Sequence, residues 1–112
     1  MLNLTPHTVT VRPLSGGPDF VYPASGLQAR VRTLPVPAPP SQDGCPCVVI
    51  GYGEADLPPE AGPGPYIVST MFADAFRAQH PDDPAMLYVP DSGPTAIREN
   101  GQIVAVRALI RK

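Results

Sequence analysis

The chain has 112 residues, of which 17 are proline and 10 glycine, and a formal net charge of −2. That length suits one domain burying roughly two thirds of its unfolded surface, enough for a core without staples, and a hydrophobic fraction of 43% excludes wholesale disorder. Lys112 is the sole lysine and no basic block exists, which excludes charge-driven wrapping of a nucleic-acid duplex but leaves open a small anion held by one or two arginines.

Proline and glycine together form about a quarter of the chain and cluster between apolar runs, so short strands are expected and long helices are not. Leu2 to Leu4 is a short apolar start ended by Pro6. Thr8 to Arg12 alternates, with Val9 and Val11 on one face of a half-buried strand. After a turn at Ser15 to Asp19, Phe20-Val21-Tyr22 returns as the second arm of a hairpin. Leu27 to Leu34 alternates again, placing Gln28, Arg30 and Arg32 on one face. The spacing predicts a loop over Pro35 to Gly44, too rich in proline to pair in a sheet. Cys47 to Glu54 is apolar on both faces and reads as a buried strand. Asp56 to Pro65 is a second Pro/Gly-rich connection.

Tyr66-Ile67-Val68 predicts a short apolar strand. Ser69 or Thr70 then caps a helix running to Gln79, which stops before Pro81. Phe72, Ala75, Phe76 and Gln79 fall near one face of that helix. Met86 to Val89 is a further strand. Thr95 to Arg98 and Gln102 to Leu109 form a final hairpin turning at Asn100-Gly101, a pair suited to positive φ. The expected architecture is mainly β (α+β): a small antiparallel barrel or sandwich of seven to eight short strands with one short helix, in a single domain over 1–112.

Cys45 and Cys47 flank Pro46, and only His7 and His80 add nitrogen donors, which predicts two ordinary thiols and no metal or cofactor. No apolar run is long enough to span a bilayer. The start lacks the basic and apolar regions of a secretory signal, so a cytoplasmic location is expected.

The order of motifs resembles a group of small proteins from phages, prophages and bacterial genomes. Asn3-Leu4-Thr5-Pro6-His7, Pro23-Ala24-Ser25-Gly26 before Ala29-Arg30-Val31, Tyr66-Ile67-Val68-Ser69, and Val89-Pro90 followed by Ile97 to Val104 carry the resemblance, which covers nearly the whole chain. It implies a phage-associated, cytoplasmic, non-enzymatic protein. The Pro35 to Gly44 loop and Asp91-Ser92-Gly93 depart from the pattern.

Ser69-Thr70 at a strand-to-helix junction offers hydroxyls and helix amides to a phosphate or carboxylate, with Arg98, Arg30 or Arg32 as counter-charge. Tyr66, Tyr52 or Tyr88 offers a stacking face. The set expected to bind ligand is His7, Arg30, Tyr66, Ser69, Thr70 and Arg98. The function expected is capture of a small anionic or nucleotide ligand, in concrete form a nucleotide-type immune signal, by a homo-oligomer. The alternative is a structural or protein-interaction module, a virion accessory protein or an inhibitor of a host protein. A third reading, a hydrolase using His7 with Asp74 or Asp91, has no spacing that compels it. Asp91-Ser92-Gly93 matches an aspartic-protease triplet, but Pro90 and Pro94 enclose it and the charged turn that follows favours a loop.

Overall fold

A computed structural model describes residues 1–112. In chain order its elements are β1 (Leu2–Asn3), β2 (Val9–Val11), β3 (Phe20–Tyr22), β4 (Val31–Ala38), β5 (Cys47–Ala55), β6 (Tyr66–Ile67), α1 (Thr70–Gln79), β7 (Leu87–Pro90), β8 (Ile97–Glu99), β9 (Gln102–Ala105) and β10 (Leu109–Arg111). The protein is mainly β with one short α-helix, as its sequence predicts. The strands number ten and no barrel closes.

The central sheet has the order β1-β6-β7-β10. β1 and β7 both run parallel to β6, and β10 runs antiparallel to β7. The sheet is therefore mixed where an antiparallel one was expected. The cause is local: Ser69 starts a helix directly after β6, and that helix carries the chain back so that β7 can run parallel. The Ser69 hydroxyl accepts a hydrogen bond from the Phe72 N–H at 3.1 Å. At the other end the His80 N–H donates to the Phe76 carbonyl at 2.7 Å before Pro81 ends the turn.

Side-chain alternation gives the sheet two buried faces. Tyr66, Val68, Leu87 and Val89 pack with Phe72, Ala73, Ala75 and Phe76 of α1, so the aromatics of the helix are core. Ile67 points the other way and meets Val9, Val11 and Val106. The β2–β3 hairpin thus covers the face opposite α1, with Val9 and Val11 inward as their spacing predicts. Asn100 and Gly101 both adopt positive φ, 53° and 78°, in the β8–β9 turn. The second arm of that hairpin is shorter than expected: it ends at Ala105, and the chain then crosses to the central sheet, where Ile110 pairs with Val89.

Two expectations for the middle of the chain are corrected. The segment from Pro35 is not a loop: β4 runs on to Ala38, with Pro35 opposite Ile50 and Pro37 opposite Val48. Residues two apart turn their backbone groups to the same side, so both prolines face away from β5, where no N–H is needed. The strand also starts later than expected, at Val31, because the Ala29 N–H is taken by the Leu4 carbonyl at 3.0 Å. Cys47 to Glu54 is a strand but is not buried: Val48, Val49 and Ile50 are 59%, 56% and 54% exposed. β4 and β5 form a two-stranded ribbon of their own. At its tip Ser41 accepts the Cys45 N–H at 3.1 Å and donates to the Asp43 carboxylate. That hydroxyl, helped by the backbone N–H groups of Asp43 and Cys45, holds the Asp43 carboxyl below its ordinary pKa.

Candidate functional site

The carboxyl ends of β1, β6 and β7 open on one side of the central sheet. The chain segments that leave them are Leu4 to Thr8, Val68-Ser69 and Asp91-Ser92. A cleft of about 280 Å³ lies there, with Thr5, His7, Thr8, Thr10, Ser69 and Ser92 on its polar side. Val9, Pro90 and residues 103–106 complete its walls. A second cleft of about 290 Å³ shares Thr5 and Ser69 with the first and is lined further by Gln28, Arg30 and Met71. The two hollows flank the 5–7 loop and meet at the start of α1.

Asn3 fixes that loop. It is 1% exposed, the single polar residue in the core. Its side-chain amide donates to the His7 and Tyr22 carbonyls, both at 2.8 Å. Its carbonyl oxygen accepts the Thr5 N–H at 2.9 Å and the Thr5 hydroxyl at 2.6 Å. The Asn3 backbone carbonyl is held in turn by the Ser25 hydroxyl at 2.7 Å and the Ser25 N–H at 3.1 Å. The Asn3 to His7 motif and the Pro23 to Gly26 turn are therefore one assembly, and it positions the cleft wall.

At the helix start, Ser69 caps the Phe72 N–H, and the Ser69 carbonyl accepts from Ala73. The Thr70 and Met71 N–H groups lie in the first helical turn, where no intrahelical acceptor exists. Met71 lines the second cleft, so its N–H is a donor beside that hollow at the positive end of the helix dipole. Arg30 is the cation of the second cleft, and its Nε donates to Gln28 Oε1 at 2.6 Å.

The structure thus brings His7, Ser69 and Arg30 around the shared rim, with Thr70 next in the chain but lining neither hollow. Tyr66 and Arg98 drop out. Tyr66 begins β6, whereas Ser69 follows its end; the tyrosine is buried and donates its hydroxyl to the Gly62 carbonyl. Arg98 is exposed on β8, donating to the Ser92 carbonyl at 3.0 Å and the Gly93 carbonyl at 3.3 Å. Its place is behind the loop that carries Ser92, as a buttress. Thr5, Thr8, Thr10 and Ser92 were not foreseen as lining residues. The threonine-rich run around His7 is the sequence signal that marks three of them.

The carboxylates offered as partners for His7 are engaged elsewhere. Asp74 pairs with Lys112 at 3.1 Å, and Asp91 accepts from the Gly93 N–H at 3.4 Å. The other histidine, His80, sits 3.2 Å from Asp56, away from the cleft lining. Cys45 and Cys47 are exposed free thiols near the ribbon tip, so neither is a core residue. No helix is long and apolar enough to cross a membrane. The chain matches no protein-family model, no curated protein and no solved structure.

Proposed function

We propose that the protein binds a small anionic ligand, of the mononucleotide class, in the paired clefts and works by holding it. The observation that carries this reading is the position of the hydroxyl-lined cleft. It lies outside the carboxyl ends of three parallel strands and against the N-terminus of the crossover helix, the region where α/β sheets bind ligands. Each hollow is near the lower end of the volume range for small-molecule pockets. The anionic group would take the Met71 amide with Arg30 as counter-charge. The apolar body of the ligand would lie along Pro90, Val104 and Val106. Taken with the resemblance to phage and prophage proteins, the concrete form is stoichiometric capture of a nucleotide signal.

Titration calorimetry with a panel of linear and cyclic nucleotides tests it. One compound should bind saturably. Arg30→Ala and His7→Ala, both exposed substitutions that leave the core intact, should each weaken it about tenfold, the loss of roughly 1.4 kcal/mol. Arg98→Ala should have a smaller effect, through the Ser92 loop. Binding unchanged in both Arg30→Ala and His7→Ala would remove the clefts as the site.

The protein-interaction reading keeps one specific support: the half-exposed apolar residues on the β4–β5 ribbon.

A further inference from the structure

Beyond Val31, which lines the second cleft at the foot of β4, the β4–β5 ribbon takes no part in the clefts, and its two edges are chemically different. Pro35 and Pro37 lack an N–H, so the hydrogen-bonded pairs of the ladder are Leu34 with Gly51, Val36 with Val49 and Ala38 with Cys47. The outer edge of β4 therefore presents prolines at alternate positions, the device that stops further pairing. On β5 the same alternation turns the N–H and C=O groups of Val48, Ile50 and Tyr52 outward. No strand pairs with that edge, and no backbone bond outside the ladders reaches these residues. From Cys47 to Gly53 the strand has no charge and no proline, and it is bounded by Pro46 and Glu54. An edge of this composition is a template for another strand.

We propose that the outer edge of β5 pairs with β5 of a second copy, antiparallel about a two-fold axis at Ile50, joining two ribbons into one four-stranded sheet. The strand is self-complementary in that register. Ile50 faces Ile50 of the second copy, Val48 faces its Tyr52, and Val49 faces its Gly51. All pairs are apolar or small, and no like charges meet. Ile50 is an outward-bonding residue, so at the axis it can exchange both backbone hydrogen bonds with its own copy. The result is an isologous contact that closes on itself, because the prolines of β4 seal both outer edges of the new sheet. It also removes a weakness of the single chain: a two-stranded ribbon with both faces open is marginal in water, and a four-stranded sheet is not.

The test uses the full-length chain with Cys45→Ser and Cys47→Ser, sized by native mass spectrometry over a range of concentrations. A dimer that dissociates on dilution is expected. Ile50→Pro removes one outward N–H and none of the bonds to β4, so it should shift the dissociation midpoint to at least tenfold higher concentration. Independently, Ile50→Cys should cross-link to a dimer under mild oxidation, since opposed residues in such pairs lie within disulfide reach. Thr33→Cys, on the proline edge, should associate as the parent does but form no cross-link. A chain monomeric at every concentration would overturn the proposal and favour an extended peptide from another protein on this edge. So would a dimer in which Ile50→Cys fails to cross-link. If Ile50→Pro does not fold, the cross-linking pair decides alone.

Discussion

Asn3 does more for the site than any residue that lines it. Four hydrogen bonds from one buried amide tie the 5–7 loop to its own strand and to β3. Asn3→Ala takes the amide donor from the Tyr22 carbonyl and the acceptor from the Thr5 N–H, and leaves the His7 carbonyl only the Thr5 hydroxyl at 3.0 Å, which should cost about 1–3 kcal/mol. Urea unfolding should show that loss as a lower midpoint at unchanged slope. Asn3→Asp should be no milder, because it keeps the acceptor for Thr5 but has no donor for the His7 and Tyr22 carbonyls. An unchanged midpoint in either variant would mean that water replaces the network. Sequence reading placed His7 in the site but not Asn3. A histidine beside threonines advertises chemistry by residue type, whereas the carbonyls that the Asn3 amide holds lie 4 and 19 residues away. Ser69 was legible for the opposite reason. Its capping partner is three residues on, and the rule that predicts the cap is local.

Strands and helix were legible where short-range periodicity decides them, as in β2, α1 and the Asn100-Gly101 turn. The ribbon was not, because proline content alone suggested a loop. What matters is the spacing: prolines at 35 and 37 share one edge, and a ribbon has an edge to spare. The same alternation predicts a pattern in amide exchange. At concentrations low enough for monomer, the amides of Gly51, Val49 and Cys47 should exchange slowly and those of Val48, Ile50 and Tyr52 fast. A uniform rate along β5 would mean a different ladder. The base of the ribbon is held by the helix. The Gln79 side chain donates to the Gly53 carbonyl and accepts the Ala55 N–H, both at 2.8 Å. Gln79→Ala should cost about 1–2 kcal/mol and speed exchange at Ala55 before it affects β6 or β7. If all amides accelerate together, ribbon and body unfold as one unit.

At the scale of the whole chain the radius of gyration is 16.7 Å, with extents of 53 × 36 × 24 Å. A compact chain of this length would have about 13 Å. The excess fits a body that holds the core and a ribbon that projects from it, since no residue from 35 to 50 is buried. That division makes the ribbon removable. Leu34 and Gly51 are a hydrogen-bonded pair, the geometry that flanks a two-residue hairpin turn, so Asn-Gly in place of residues 35–50 should close the shortened ribbon without strain. The shortened chain should unfold within about 1 kcal/mol of the full one, because it loses exposed surface and no core. Its radius of gyration by X-ray scattering should fall toward about 13 Å. It should remain monomeric at all concentrations and keep whatever ligand the clefts bind. Retained binding with lost association would show that the two surfaces act separately. Loss of both in a chain that still folds would mean that the clefts are completed only when two copies meet, and the β5 edge would then belong to the binding site.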